Sequence, residues 1–200
     1  VLVDLNDASA TLPNSYNSVE NITPLETPLS STINGAALAT PVFLSLYVEN
    51  DLRLDKYFAE TDEKGFRKNK KAGSNNYLCT FRVGEIYLTA AEAAARLGEL
   101  SQARTRLLEL MRKRYAPEAY EAKSVVVNAM DKEALVQEIL DERARELAFE
   151  GHRWFDLRRS TRPRLEKVLD GTRYVLEEND ARYTLAIPKE AIEANPGLLN

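Results

Sequence analysis

Apolar residues recur at intervals of three and four along much of the second half of the chain, and this spacing is typical of one face of an α-helix. The first such run starts after Thr80 and contains Val83, Ile86, Tyr87, Ala90, Ala91, Ala94 and Leu97. Gly98 follows the run, at a position where glycine commonly ends a helix. The pattern therefore predicts a helix that begins after Thr80 and stops at Gly98.

A second run predicts a helix that pairs with the first. Ser101 is a suitable N-cap, the apolar positions Ala103, Leu107, Leu110 and Met111 follow it, and the helix is expected to end near Pro117. The resulting helical hairpin, "AEAAARLGELSQARTRLLELMRKRYAP", resembles one tetratricopeptide (TPR) unit. A single TPR unit cannot bury its apolar face without neighbours, and no second copy is visible at a period of about 34 residues. Either other repeats have diverged or they lie outside this chain.

Three further elements are predicted between Asp131 and the end of the chain. Asp131 is a suitable N-cap for a third helix, "KEALVQEILDERARELAFEG". The alternating segment "RYVLEENDARYTLAIP" predicts a small β-hairpin that turns at residues 178–180. Pro188 can open a short final helix. The fold class predicted from these patterns is mostly α.

Residues 1–50 differ from the rest, because they contain no Lys or Arg and half of the eight prolines. Their Ser, Thr, Asn and Pro content is typical of turns and irregular loops. We interpret 1–50 as a loop-rich segment of the same domain as the helical region 51–200.

Carboxylates and arginines are concentrated in "ERARELAFEGHRWFDLRR", Glu142–Arg159. On a helical wheel Glu142, Glu146 and Glu150 share an arc with Leu135 and Ile139, so apolar side chains frame the acids. Three glutamates at successive i, i+4 positions repel one another unless cations neutralise them. A ladder of ion pairs formed by Glu142, Arg143, Glu146, Glu150 and Arg153 is the expected arrangement, with Arg145, Arg82 and Arg114 as further possible partners. Gly151 predicts either a close approach of another helix or a break in this one.

These charges allow two other interpretations. Acid–base catalysis needs two carboxylates that face each other across a cleft, which a ladder along one helix does not provide. A surface patch that binds a charged partner remains open. His152 is the only histidine, so a histidine-based metal cluster cannot form within this chain.

Composition excludes several other classes of protein. A net charge of −4 and a pI near 5.3 argue against a dedicated nucleic-acid binder. The single cysteine, Cys79, excludes an internal disulfide, and no apolar run is long enough for a transmembrane helix. Because nucleotide-binding and nucleophile motifs are also absent, we expect no catalytic residues, no metal and no cofactor.

Three stretches, in order, resemble the C-terminal region of the SusD/RagB-like proteins. They are "RVGEIYLTAAEAAARLG", "EILDERARELAFEGHRWFDLRR" and "YTLAIPKEAIEANPGLLN", and "DLRLD" at Asp51–Asp55 resembles a further segment of the family. The middle stretch is the most specific. It matches the family pattern at Glu142, Arg143, Glu146, Leu147, Glu150, Gly151, Arg153, Asp156, Leu157 and Arg158.

The resemblance implies a helical fold with TPR-like hairpins and long loops. It also implies non-catalytic capture of oligosaccharides or polysaccharide fragments for delivery to a SusC-like, TonB-dependent transporter. Such proteins are surface lipoproteins of the Gram-negative outer membrane, held by a lipidated cysteine that would lie outside this chain. Because family members are much longer, we expect this chain to be part of a longer protein.

The family motif assigns no glycan-binding residue. Sugar binding requires exposed aromatic faces, and Tyr16, Tyr47 and Tyr57, in or near the loop-rich segment, are the candidates. Two alternatives remain open at this stage: a TPR-type protein-interaction module without a small ligand, and a hydrolase whose catalytic residues lie upstream.

Overall fold

A computed structural model describes residues 1–15, 17–25, 38–71, 79–169, 171–195 and 197. The chain divides into two compact units, Val1–Arg153 and Trp154–Asn200. The predicted mostly α class is confirmed, since helices dominate the described residues and the strands are short. None of the helices in this part of the chain is long and apolar enough to cross a membrane.

The first unit contains six described α-helices. They are α1 Pro41–Leu44, α2 Arg53–Tyr57, α3 Val83–Leu97, α4 Leu100–Met111, α5 Pro117–Ala129 and α6 Lys132–Glu146. Its strands are β1 Asn21–Leu25, β2 Leu38–Ala39, β3 Phe58–Thr61, β4 Arg67–Asn69 and β5 Cys79–Arg82. β1 pairs antiparallel with β5, and β4 lies between β2 and β3 in a second antiparallel sheet. Short sheets thus precede a layer of longer helices.

The predicted hairpin is formed by α3 and α4. Gly98 ends α3 with a φ of 87°, and its N–H donates to the carbonyls of Ala94 and Ala95, which is the left-handed termination that glycine favours. Two expectations for α4 are wrong. Ser101 lies inside the helix, which starts at Leu100 after the N-cap Glu99, and the helix ends at Met111, well before Pro117.

Pro117 instead opens α5, a helix that the apolar pattern did not predict. Proline suits the first helical turn, because the amide that it lacks would have no intrahelical partner. Val127 is the only fully buried residue of α5, so its apolar face is too narrow to be recognised from spacing. α6 begins as predicted, with Asp131 Oδ1 accepting from the Ala134 N–H at 2.9 Å.

Two apolar clusters form the core of this unit. The larger one lies where α3 packs against α4 and α6 and contains Leu88, Leu107, Leu110, Ile139 and other buried residues of these helices. The second joins Val3 and Leu5 of the N-terminal segment to Tyr47, Tyr57 and Phe58. The loop-rich N-terminal segment therefore contributes core residues of its own.

The charged segment is not one continuous helix. α6 ends at Glu146, the chain turns through Phe149 (φ 61°) and Gly151 (φ 86°), and α7 begins at Arg153. Of the two meanings expected for Gly151, the structure shows a break. A single helical wheel drawn through the whole segment places Gly151 and Phe155 on the same apolar arc as Leu147. That prediction is wrong, because Gly151 is exposed and so is Phe155, whose exposed fraction is 63%.

The second unit holds most of α7 (Arg153–Arg159), the strands β6 Leu165–Leu169 and β7 Thr172–Leu176, a 3₁₀ turn at Ala181–Tyr183 and α8 Lys189–Ala194. The final helix follows Pro188 as predicted. Within this unit the Trp154 ring stacks on Tyr183 at a centroid distance of 5.1 Å.

A β-hairpin is present, but the predicted position is wrong. β6 pairs with β7, and Gly171 between them has a φ of 76°, whereas the expected second strand includes the 3₁₀ turn at Ala181–Tyr183. Asp-Gly at 170–171 is a strong sequence signal for a two-residue hairpin turn. Because apolar and polar residues do not alternate regularly at 165–169, the first strand of this hairpin was not predicted.

Candidate functional site

Ten charged side chains lie together in the interior of the first unit. We call them the ionic cluster. It comprises the five carboxylates Glu20, Asp51, Glu142, Glu146 and Glu150 and the five cations Arg53, Lys71, Arg82, Arg114 and Arg145. All ten are buried, and the charges of the two signs balance in number. Burial of charge on this scale requires paired, hydrogen-bonded partners, since an isolated buried ion is strongly unfavourable.

Glu146 lies at the centre of the ionic cluster. Arg114 Nε donates to both of its carboxylate oxygens, at 3.0 and 2.9 Å. Arg82 Nη1 donates to Oε1 at 2.6 Å, and Arg53 Nη1 donates to Oε2 at 3.1 Å. One carboxylate of α6 therefore connects three arginines that come from distant parts of the chain.

Glu142, one helical turn earlier, extends the network toward α2. Its carboxylate accepts from Arg53 Nη1 at 2.7 Å, from Arg145 Nε at 2.8 Å and from the Tyr115 hydroxyl at 3.0 Å. Arg53 also contacts Asp51 through Nε (2.9 Å) and Nη2 (2.8 Å), a bidentate geometry. Arg53 is thus fixed by three carboxylates at once.

Glu150 fixes the turn that follows α6. Arg82 donates to its two oxygens at 2.9 Å each, and Lys71 forms an ion pair with the same carboxylate. Lys71 Nζ also donates to the carbonyls of Glu146 (2.6 Å) and Ala148 (3.3 Å). These bonds satisfy backbone carbonyls that the end of the helix leaves without partners.

Glu20 connects the N-terminal segment to the same cluster. It accepts from the Val3 N–H at 2.8 Å and from Arg82 Nη1 at 3.2 Å, and it pairs with Arg114. Gly84 is needed beside these groups, because a Cβ atom there would lie 2.6 Å from Arg82 Nη1. Any side chain at this position in the first turn of α3 would therefore require Arg82 to shift.

The arrangement keeps the two α6 carboxylates, Glu142 and Glu146, ionised. Burial opposes ionisation of Glu146, but the charges of Arg114, Arg82 and Arg53 hold the pKa of its carboxyl well below the usual range. The balance is similar at Glu142, where Arg53 and Arg145 outweigh burial and lower the pKa to about 2. Burial lowers the pKa of Lys71 to about 8, against the opposing effect of Glu150.

This geometry suits a structural role. A general acid must hold a proton and reach a substrate, whereas Glu142, Glu146 and Glu150 are charged and enclosed. No group of acidic, histidine or cysteine side chains suited to a metal ion occurs in the described ranges. What the cluster can do is hold α2, α6, β5 and the N-terminal segment in a fixed arrangement.

Three of the five residues predicted to form the ion-pair ladder belong to the ionic cluster, and two do not. Glu142, Glu146 and Glu150 belong to the ionic cluster, but Arg143 donates to Thr89 Oγ1 at 3.2 Å and Arg153 is exposed. Arg145, Arg82 and Arg114, considered as further partners, do pair with the glutamates. The pattern gave no sign of Glu20 or Lys71. Arg53 was signalled only by the family-like segment at Asp51–Asp55.

Neither described tyrosine candidate presents its ring to a ligand. Tyr47 is buried, and its hydroxyl donates to the Arg145 carbonyl at 2.8 Å. Tyr57 is also buried, beneath the Lys71 ammonium, which lies 4.3 Å from the ring centroid. Both rings are buried because they pack in the second apolar cluster. Tyr16 lies outside the described residues.

A surface groove with a volume of about 650 Å³ is bounded by α3, α4 and α5 and by Val1 and Leu2 of the N-terminal segment. Its lining includes Tyr87, Thr105, Leu108, Glu109, Arg112 and Tyr120. Sequence reasoning missed this groove, because Tyr87 was assigned to the apolar face of its helix and Tyr120 lies in a helix that was not predicted.

Comparison with known proteins identifies relatives of the fold. Residues 43–200 match the model of the SusD family. A SusD-like carbohydrate binding protein from Bacteroides vulgatus ATCC 8482 superposes with a TM-score of 0.52 at 20% identity, over 80% of this chain and 40% of its own. A SusD superfamily protein from Bacteroides fragilis gives a TM-score of 0.59 at 23% identity, over 79% and 35%.

This chain therefore spans less than half the length of either solved structure, and at these identities both establish the fold alone. No curated protein matches the chain in sequence. The family match covers the helical region, the ionic cluster residues from Asp51 onward and the C-terminal hairpin. The chain belongs to the SusD family.

Proposed function

We propose that this protein captures oligosaccharides or polysaccharide fragments at the surface of a Gram-negative cell without chemically altering them. It then delivers them to a SusC-like, TonB-dependent transporter in the outer membrane. In this proposal the protein is a surface lipoprotein whose lipid anchor is attached outside residues 1–200. The observation that carries the proposal is the SusD family match over residues 43–200.

Two structural features support a binding role. The carboxylates that first suggested catalysis are enclosed and ionised in the ionic cluster, which favours a rigid scaffold over an acid–base site. In addition, a SusD-like relative of the same fold is described as carbohydrate binding. A rigid scaffold suits capture, because a preformed site loses less conformational entropy when a ligand binds.

We further propose that residues 1–50 belong to the same domain as the helices that follow them in the first unit. Glu20 pairs with Arg82 and Arg114, and Val3 and Leu5 pack in a core cluster with Tyr57 and Phe58. Such contacts make the N-terminal segment a part of the packed interior.

The capture step is tested by affinity electrophoresis of the whole chain through gels that each contain one polysaccharide, followed by calorimetry with oligosaccharides of any polymer that retards it. We expect retardation by at least one glycan, and no change in oligosaccharide length after prolonged incubation. Shortened products would contradict a non-catalytic role. Transporter delivery is tested by co-purification with the TonB-dependent transporter encoded nearest to it.

The same measurements separate the alternative, a TPR-type interaction module without a small ligand. The α3–α4 hairpin is the feature that favours this alternative. If no polysaccharide retards the chain while the transporter still co-purifies with it, the interaction module becomes the better description.

A further inference from the structure

The groove between α3, α4 and α5 is large enough to hold a small ligand. Its volume of about 650 Å³ falls within the range of about 300–1,000 Å³ that is usual for small-molecule sites. Tyr87 of α3 and Tyr120 of α5 are both half-buried, so part of each ring faces the groove. Thr105 and Glu109 of α4 add polar groups to the lining.

Each tyrosine of the groove carries an arginine beside its ring. Arg106 Cζ lies 5.8 Å from the Tyr87 centroid, and Arg112 Cζ lies 5.3 Å from the Tyr120 centroid. Arg112 Nη2 also donates to the Tyr120 hydroxyl at 3.4 Å. Stacking on an aromatic ring orients a guanidinium while leaving most of its N–H groups free for a ligand.

The cations around the groove differ in how they are neutralised. Lys113 Nζ pairs with Asp4 at 2.8 Å, and Arg106 pairs with Glu109 at 3.3 Å. Arg112 forms no ion pair with any residue in the described part of the chain, although the chain as a whole carries a net charge of −4. An exposed arginine without a carboxylate partner, held in place by a tyrosine, is a suitable receptor for an anionic group.

We propose that this groove binds an acidic sugar residue of the captured glycan, such as a uronic acid. The carboxylate pairs with Arg112, and the apolar face of the sugar ring packs against Tyr120 or Tyr87. This inference rests on the proposed glycan-capture function and assigns to it a site and a class of ligand. Amphipathic tyrosine rings suit a sugar, which presents C–H groups on its faces and hydroxyls at its edges.

Calorimetry of the whole chain tests this inference with oligomers of galacturonate, of glucuronate-containing glycans and of alginate. The fully methyl-esterified form of each oligomer, which has the same ring but no charge, is the matched ligand control. We expect at least one acidic oligomer to bind and its ester to bind at least about tenfold more weakly, as for loss of one charge-assisted contact. Arg112→Gln should weaken binding of the acid by a similar factor and leave binding of the ester unchanged.

Variants at the rings complete the test. Tyr87→Ala and Tyr120→Ala should weaken binding of both ligand forms, and Tyr120→Leu separates loss of the ring from loss of packing, because Tyr120 also contacts the larger apolar cluster. Tyr174→Ala, at an exposed tyrosine of the β6–β7 hairpin, is the matched control and should bind as the wild type does.

The possible results distinguish failure of the proposed acidic-sugar site from failure of glycan capture. If the chain binds a glycan but does not prefer the acid, or if Arg112→Gln and the groove tyrosine variants bind normally, the inference is overturned while glycan capture stands. If the chain binds no glycan of either kind, glycan capture fails and the inference fails with it.

Discussion

Two sets of arginine–carboxylate pairs in this protein share their chemistry and differ in their surroundings. In the ionic cluster, Arg82 Nη1 lies 2.6 Å from Glu146, and both side chains are 0% exposed. On the β6–β7 hairpin, Arg173 Nη2 lies 2.6 Å from Glu166, with the side chains 61% and 33% exposed. The two pairs have the same N–O distance, but we expect them to contribute very differently to stability.

The difference lies in what happens when one partner is lost. Water can solvate an exposed charge that loses its partner, so an exposed pair contributes little to stability. Inside the ionic cluster no water replaces the partner, and the remaining ion keeps the full cost of desolvation. Removal of one partner of a buried pair is therefore strongly destabilising. Replacement of both partners by apolar residues of equal size need not be.

Removal of the central carboxylate should have the largest effect. Glu146→Ala leaves Arg53, Arg82 and Arg114 buried with one shared partner missing. We expect the free energy of unfolding to fall by about 3–5 kcal/mol, the usual cost of an uncompensated buried charge. Urea denaturation followed by circular dichroism measures the change. A loss below about 1 kcal/mol, typical of a surface pair, would show that water enters the cluster.

Acid should remove the stability that the ionised carboxylates of the ionic cluster contribute. The pKa of Glu142 is lowered from 4.5 to about 2 in the folded protein, so the folded state binds fewer protons than the unfolded chain between these values. The stabilisation is complete above pH 4.5 and is lost as the pH falls through about 2. It amounts to about 3 kcal/mol for this group.

Unfolding free energies measured between pH 6 and pH 2 check this expectation. Glu142→Gln should show a shallower decline than the wild type over the same range, because the titrating group is gone. Parallel curves for the two proteins would place the proton uptake elsewhere.

A methyl group beside the ionic cluster should disturb it less, but measurably. Alanine normally stabilises a helix relative to glycine by about 1 kcal/mol. At Gly84 the new Cβ would lie 2.6 Å from Arg82 Nη1 and 3.1 Å from Glu146 Oε1, so Arg82 must move. We expect Gly84→Ala to lower the unfolding free energy by about 1–3 kcal/mol in thermal or urea melts. An increase in stability would mean that the cluster adapts freely.

Sequence reasoning found the glutamates of the ionic cluster because helical periodicity is local. Leu135 and Ile139 frame Glu142 and Glu146 on one wheel, and all four side chains are buried. Their partners are distant in the sequence: Arg53 lies 93 residues from Glu146. Glu20 joins the same network through Arg114, which lies 94 residues from it. No periodic pattern encodes such contacts, so Lys71 and Glu20 could not be predicted.

The errors in the fold have the same origin. The wheel failed after Leu147, because hydrogen bonds from Lys71 to the carbonyls of Glu146 and Ala148 stabilise a turn there. α5 was missed because its contacts with α4 bury a single residue, Val127, completely. The groove could not be foreseen either, since it depends on three helices of which only two were predicted.

The smallest expected effect completes the comparison. Glu166 accepts from Arg173 and pairs with Arg164 on the exposed hairpin, and these hydrogen bonds lower the pKa of its carboxyl. Because solvent screens both pairs, Glu166→Ala should leave the urea midpoint unchanged within the reproducibility of the measurement. The wild type and the variant should also respond equally to 0.1 M and roughly 1 M salt, where screening removes most of any remaining surface attraction. A loss as large as that of Glu146→Ala would show that distance, and not burial, determines the value of an ion pair in this protein.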